Sequence, residues 1–356
     1  MMTFVLVIGA GQAGLATGCH LRRSSLDFLI VDSACHVGNS WRKRYESLTL
    51  FTPRQFSALP GLPLVGNREL YATREEFADY LQTYATRCGL PVRLNSRVVR
   101  LARIGGNAFE ATLQNGKRLQ ATHVVVATGG FQKSVVPPIS AKFDAEVVQL
   151  NAETYRNIHQ IPGGRALVVG DGASGRDIAV ELSSRGPTAL AAGKPRRLFP
   201  ERVLGKSVWW WLSKSGVLKA PPNSTMGQFL RRSDAFPDRD RSIGSLTRKN
   251  IAIMPRLVDA AGDKAIFSDG SSIPVAAVIW AVGYVDDSSW LGVPEATAAD
   301  GSFLHTEGVS PVHGLFFVGK PWQRNRTSAL IMGVGDDARL IVQRIAAEGS
   351  GQTARG

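Results

Sequence analysis

The chain has 356 residues, 44% apolar and 20% charged, which is ordinary globular usage and excludes a disordered, collagenous or coiled-coil protein. At about 150 residues per domain it holds roughly two domains, and no apolar run reaches the ~18 residues of a membrane-spanning helix. Forty-two Lys and Arg against 29 Asp and Glu leave +13, so a nucleic-acid partner and a basic enzyme with anionic ligands both have to be weighed.

The N-terminal apolar run, residues 4–8, reads as a buried strand. It lacks the basic flank and small-residue cleavage site of a signal peptide. It runs into Gly9-Ala10-Gly11-Gln12-Ala13-Gly14, and Leu15, Ala16, Cys19 and Leu21 then follow at helical spacing. In a strand–turn–helix, the first glycine of G-x-G-x-x-G permits the tight turn. The second lets the backbone approach a pyrophosphate, and the third lets helix and strand pack closely. The anion then sits on the helix N-terminus, where N–H groups and the dipole favour it. A second strand, residues 28–31, ends in Asp32, 18 residues after Gly14, where a carboxylate accepts hydrogen bonds from a ribose diol. Residues 98–103, 109–113 and 118–121, with an Asn115-Gly116 turn, read as an antiparallel flap covering the first sheet. The β-branched run 124–126 closes the unit at Ala127-Thr128-Gly129.

Residues 143–161 form a polar connector that ends in the hinge Pro162-Gly163-Gly164. The pattern then repeats. An apolar run meets Gly170-Asp171-Gly172-Ala173-Ser174-Gly175, and Ile178, Ala179 and Leu182 mark a helix face. The next strand, 188–192, ends without an acid, and Lys194, Arg196 and Arg197 follow. Cations there suit a 2′-phosphate, although a solvated surface turn has the same composition. Residues 199–249, with Trp209-Trp210-Trp211, Pro221-Pro222, Arg231, Arg232, Arg239 and Arg241, read as a helical insertion. Its tryptophans either line an aromatic substrate's pocket or pack the insertion on the sheet, and packing is the expectation for at least two. Residues 278–284 close the second unit, and 314–347 must return to the first.

The expected fold is therefore α/β, with two nested Rossmann-like dinucleotide-binding domains. Residues 1–161 begin the first, 162–284 form the second with its insertion at about 199–249, and 285–356 complete the first. Cys19, Cys35 and Cys88 form no Cys-x-x-Cys pair. That argues against a zinc ribbon, a redox pair or a disulfide framework and fits a cytoplasmic protein without a metal site.

These motifs, with Ser40-Trp41-Arg42, Leu50-Phe51-Thr52-Pro53, Leu59-Pro60-Gly61, Trp280-Ala281-Val282-Gly283-Tyr284 and residues 322–338, resemble the flavin-containing monooxygenase-like proteins, in particular their compact bacterial branch. The resemblance covers residues 4–345. It implies FAD at Gly9, Gly11, Gly14, Asp32, Trp41, Arg42 and the backbone of Val98, with Thr128-Gly129 close by. It implies NADPH at Gly170, Gly172, Ser174, Gly175, Lys194 and Arg196, with Arg197 beside them. The family chemistry would pass hydride from NADPH to flavin. A flavin C4a-(hydro)peroxide formed with O2 would then oxygenate N, S or a carbonyl of a small substrate.

The chain departs from the family pattern at several positions. Asn151 stands for a histidine, Ala152 for a serine and Ala145 for a glycine in the linker signature. Tyr155 stands where Baeyer–Villiger enzymes show tryptophan, Val282 replaces a threonine, and Phe51 occupies a position near the flavin that is often Asn or His. Asn151 and Phe51 are thus candidate determinants of the reaction. Arg326, ahead of an apolar helix whose N-terminus would face the flavin pyrimidine, is a third candidate, with a plain salt bridge as its alternative role. Two enzyme readings follow: an NADPH-dependent monooxygenase, or an FAD-dependent NADPH reductase, oxidase or dehydrogenase on the same scaffold. Nucleic-acid binding is not expected, because the cations are scattered and no recognition motif is present. The expected partners are a small organic substrate and O2, with a homodimer as the working expectation for assembly.

Overall fold

The computed structural model describes residues 2–353 apart from 107, 194, 195, 197, 234 and 235. In the first unit, β1 (Met2–Ile8), α1 (Gln12–Arg23) and β2 (Phe28–Val31) form the opening β-α-β. Next come α2 (Arg74–Arg87), β3 (Val92–Arg93), β4 (Val98–Ile104), β5 (Ala108–Leu113) and β6 (Arg118–Val126). A capping box starts α2: the Thr73 hydroxyl accepts the Glu76 N–H at 3.2 Å and the Glu76 carboxylate accepts the Thr73 N–H at 2.8 Å.

The second unit holds β7 (Val148–Asn151), β8 (Ala166–Val169), α3 (Ala173–Ser183) and β9 (Thr188–Ala191). The insertion follows, with short helices α4 (Val208–Lys214), α5 (Thr225–Ser233) and α6 (Ile243–Arg248). Then come β10 (Ile251–Met254), the antiparallel trio β11 (Leu257–Ala261), β12 (Lys264–Phe267) and β13 (Ser272–Pro274), and β14 (Ala277–Trp280). The chain returns to the first unit through β15 (Leu315–Phe317) and the long helix α7 (Ile331–Thr353).

The two parallel sheets have the same strand order. The first runs β15-β6-β1-β2-β3 and the second β7-β14-β8-β9-β10. The registers match as well: Val7 lies between Ile30 and Val125, and Val168 lies between Leu190 and Ile279. Strand alternation sorts the core. In the first sheet, Val5, Val7, Ile30 and Val125 face α1, α2 and α7. Leu6, Ile8, Val31 and Val126 face Leu101, Phe109, Ala111 and Leu119 of the β4-β5-β6 meander. In the second sheet, Val168, Leu190 and Ile279 pack on Ile178, Ala179 and Leu182 of α3, while Leu167, Val169 and Val278 pack on Ala260, Ala265 and Phe267 of the β11–β13 trio.

Three features differ from the sequence reading. The flap covers the sheet but is not separate from it, because β6 runs unbroken from the meander into the closing strand. The connector 143–161 contributes β7, the edge strand of the second sheet, so that sheet begins ahead of residue 162. Phe143 and Val147 are buried against Trp280 there, which ties the connector to the second core. The half-exposed Val148-Gln149-Leu150-Asn151 gives little apolar signal of its own. Finally, the insertion is shared between the two units: Leu246 of α6 is buried in the second core with Ile178, Leu190 and Ile251, whereas the tryptophan segment packs on the first unit. Val208, Trp209 and Leu218 are buried with Phe51, Phe56, Leu330 and Met332.

Among the described residues, no helix is long and apolar enough to cross a membrane, and no cluster of His, Cys, Asp or Glu could hold a metal ion. Cys19, Cys35 and Cys88 are free thiols, although the Cys19 and Cys88 sulfurs lie 3.9 Å apart between α1 and the end of α2.

Candidate functional site: two glycine cradles

Gly9 turns the chain at φ +110°, and a β-carbon there would come within 2.5 Å of the Ala127 carbonyl oxygen. A β-carbon at Gly14 would lie 1.8 Å from the Gly9 carbonyl oxygen, so α1 can approach β1 only with glycine at this position. At Gly11 a β-carbon would meet nothing within 4 Å. The middle glycine therefore borders open space, and α1 begins with no side-chain cap and no acid in its first turn. An uncapped helix start beside open space fits a pyrophosphate.

The second cradle repeats this geometry. Gly170 has φ +106° and the same 2.5 Å approach, to the Ala281 carbonyl oxygen. A β-carbon at Gly175 would lie 1.8 Å from the Gly170 carbonyl oxygen, and one at Gly172 would meet nothing within 4 Å. Ser174 lies in the uncapped first turn of α3. The closing turns correspond too: Ala127 N–H donates to Ile8 and Ala281 N–H to Val169, each at 2.8 Å. Thr128-Gly129 thus matches Val282-Gly283. The two closing segments are joined to each other, because Tyr284 pairs with Ser134 and Val135 N–H donates to the Gly283 carbonyl at 3.0 Å. The C-terminal edges of both sheets therefore meet at one junction.

At the first cradle, the Asp32 carboxylate accepts the Ala10 N–H at 2.6 Å and the Ala34 N–H at 2.8 Å, which aims it across the glycine turn. Trp41 Nε1 donates to Gln12 Oε1 at 3.2 Å and the indole stands edge-on to Phe77, so its side chain braces the turn. Arg42 faces α2, paired with Asp79 at 2.5 Å and Glu75 at 3.5 Å. Val98 opens β4, whose neighbouring Arg97 carbonyl accepts the Gln114 N–H at 2.8 Å. Gln132 Nε2 donates to Thr128 Oγ1 at 3.0 Å and to the Gly129 carbonyl at 2.8 Å, fixing that turn.

At the second cradle, Arg196 Nε donates to the Asp171 carboxylate at 3.1 Å. The same buried carboxylate holds the fully buried Arg176 at 3.3 Å. Lys194 and Arg197 lie outside the described residues.

The three candidate reaction determinants occupy different surroundings. Phe51 lies 6.1 Å from Trp209, ring to ring, and its carbonyl accepts the Trp209 Nε1–H at 2.9 Å. Of the three tryptophans Trp209 is buried, Trp210 half-buried and Trp211 exposed. Asn151 ends β7, where its side-chain oxygen accepts the N–H groups of Glu153 at 2.9 Å and Thr154 at 3.0 Å, an Asx turn. Arg326 lies 5.9 Å from the Trp322 ring in the segment ahead of α7. Phe51 and the start of α7 are thus brought together through the insertion, whereas Asn151 is occupied in its own turn.

Further charged residues lie around these sites. Lys320, buried at the end of the β15 run, pairs with Asp286 at 2.8 Å and donates to the Gly129 carbonyl at 3.3 Å. Burial lowers its pKa from the usual lysine value, and Asp286 opposes that shift. Arg241 and Arg239 of the insertion reach back to Asp177 on α3 at 2.8 and 3.6 Å. Asp337 on α7 is pushed up to about 6 by burial, despite Arg324 at 3.3 Å, and its Oδ2 has no hydrogen-bond partner. The only sequence signal for Lys320 is a lone lysine ending an apolar run.

Two nested dinucleotide folds, each with an open glycine cradle, define the class: a flavin- and pyridine-nucleotide-type oxidoreductase. Residues 6–196 match the pyridine nucleotide-disulphide oxidoreductase family, and the chain belongs to it. An uncharacterized CzcO-like oxidoreductase of Geobacillus kaustophilus is 43% identical over 96% of this chain and 97% of its own length. A probable indole-3-pyruvate monooxygenase of Arabidopsis thaliana, YUCCA9, is 27% identical over 83% of this chain and 78% of its own. Among solved structures, the flavin-containing monooxygenase from Stenotrophomonas maltophilia is 25% identical, with a TM-score of 0.82 and coverage of 98% of this chain and 99% of that one.

Proposed function

We infer that the protein is an NADPH-dependent flavin monooxygenase, with FAD in the first cradle and NADPH in the second, acting on a small organic substrate and O2. The observation that carries this reading is the duplicated cradle: both middle glycines border open space, and the edges of both sheets meet at one junction. The monooxygenase names among its relatives support the same reading.

Bound FAD would supply hydride acceptance and O2 activation; the chain's own residues bind, orient and shield. Gly9, Gly11 and Gly14 would admit the FAD pyrophosphate, and the Asp32 carboxylate would accept the ribose hydroxyls. Trp41 would brace the turn, and the Thr128-Gly129 turn, tied by Gln132, would close its edge. Gly170, Gly172, Ser174 and Gly175 would receive the NADPH pyrophosphate, with Arg196 as the described member of the basic turn that favours the phosphorylated cofactor. The Phe51–Trp209 contact would keep water from the reacting edge.

A second reading, an NADPH oxidase or reductase, draws on the same contact. Phe51 places no polar group at that edge, and Asn151 spends its carboxamide in a turn. The test is to purify the protein with its flavin and supply NADPH, ¹⁸O2 and a panel of small sulfides, amines and ketones. Incorporation of ¹⁸O into product in step with NADPH consumption is expected. Stoichiometric H2O2 with every substrate selects the oxidase reading, and failure to bind FAD at all removes both.

A further inference from the structure

We propose that Arg256 grips the 2′-phosphate of the second dinucleotide and sets the preference for NADPH over NADH. This rests on the NADPH reading above. The argument starts from the correspondence of the two sheets. Gly9 N–H donates to the Val31 carbonyl at 2.8 Å and Gly170 N–H to the Ala191 carbonyl at 3.1 Å. The next residues therefore correspond, and Ala192 stands where the first unit has Asp32. The neighbouring strands agree, because Asp32 N–H donates to Arg93 at 3.0 Å and Ala192 N–H to Met254 at 2.9 Å.

In the first unit this position presents a carboxylate, which suits a free ribose diol and repels a phosphate. In the second it presents a methyl group, followed by Gly193 with no side chain. A guanidinium reaches over that gap from the end of β10. A β-carbon placed at Gly193 would lie 3.7 Å from Arg256 Nη2 and 3.8 Å from Nε. The Arg256 backbone is anchored, since its carbonyl accepts the Ser268 N–H at 2.9 Å, while the residue as a whole is exposed. Arg196, the cation expected from the sequence, turns its Nε to Asp171 and so shapes the glycine turn. A planar fork held over a bare glycine at the ribose end of the site matches a phosphate monoester, which takes two parallel N–H···O bonds.

Titration calorimetry on the flavin-loaded protein with 2′,5′-ADP and 5′-AMP tests this without turnover. The wild type should bind 2′,5′-ADP at least about tenfold tighter than 5′-AMP. Arg256→Ala should erase most of that difference while 5′-AMP affinity stays within about twofold, and Arg256→Lys should restore part of it, because a point charge replaces the fork. Undiminished 2′,5′-ADP binding by Arg256→Ala overturns the assignment but leaves the NADPH reading standing. Equal loss of both ligands also overturns it, since it would mark a structural role. A wild type that does not distinguish the two ligands defeats the NADPH reading and this inference with it.

Discussion

The two dinucleotide units share a strand order, a register, a helix on one face, a three-stranded meander on the other, and glycine approaches that agree to the tenth of an ångström. One of the corresponding positions at which they part is the end of the second strand, Asp32 in the first and Ala192 in the second. The comparison separates two jobs. The glycines make room for a pyrophosphate whatever the nucleotide is, because they act through backbone approach. The residue at the end of the second strand would meet the ribose of a bound dinucleotide, because it stands beside the glycine turn.

The sharpest way to break the comparison is to close one cradle at a time. Gly14→Ala places a methyl 1.8 Å from the Gly9 carbonyl and should abolish FAD retention, read as loss of flavin absorbance in the purified protein. Gly175→Ala makes the same clash in the second unit and should leave the flavin in place while NADPH no longer reduces it. If both variants lose flavin, the two cradles are not separate sites. The next effect in size comes from exchanging the ribose reader. Ala192→Asp should cut NADPH kcat/KM by about tenfold to a hundredfold, roughly 1.4–2.8 kcal/mol, and leave NADH kcat/KM unchanged or raised. Equal losses with both cofactors would mean the strand end does not face the ribose.

A smaller effect distinguishes the insertion's tryptophans. Trp209 is buried against Phe51 and Trp211 is exposed, so Trp209→Ala should lower the melting temperature clearly more than Trp211→Ala. Similar losses would remove the idea that one tryptophan docks the insertion on the first unit.

The smallest effect concerns Asp337. Its pKa is raised to about 6 in the folded chain by burial, so the folded state holds a proton that the unfolded state has released between about pH 4 and 6. Stability associated with this group is present below its unfolded pKa and is lost as the pH rises through about 6. Asp337→Asn should flatten that dependence and stabilise the protein at pH 7–8. The gain should be about 1 kcal/mol, because Arg324 loses a charged partner and offsets part of the relief. Melting temperatures of both forms from pH 5 to 8 check it; a parallel pH dependence would exclude Asp337 as the source.

Much of the fold was legible in the sequence for a local reason. A buried parallel strand needs an unbroken apolar run, the turn after it needs glycine, and the helix needs apolar residues at three- and four-residue spacing. Val5–Ile8 with Gly9 and Leu167–Val169 with Gly170 meet those needs within a few residues, so both cradles stood out. The edge strand Val148–Asn151 did not, because a half-exposed edge carries polar residues and draws its order from Phe143 and Val147 buried beneath Trp280. The sequence assigned Arg196 to a phosphate from its place in a basic turn. Its hydrogen bond to Asp171, and the approach of Arg256 to Gly193 from 63 residues away, belong to the packing of strands and not to any spacing.

The +13 of the whole chain is divided in the same way. Composition alone raised nucleic acid as a partner. The structure shows arginines such as Arg42, Arg176, Arg239 and Arg241 engaged with carboxylates of their own chain. By itself the sequence determined the duplicated α/β fold and the positions of its glycine turns, since those rest on periodicity and backbone sterics along a few consecutive residues. Only the tertiary structure decided which charges pair with one another, which edge strand joins which sheet, and where the tryptophan segment docks, since each depends on atoms far apart in the chain brought within a few ångströms.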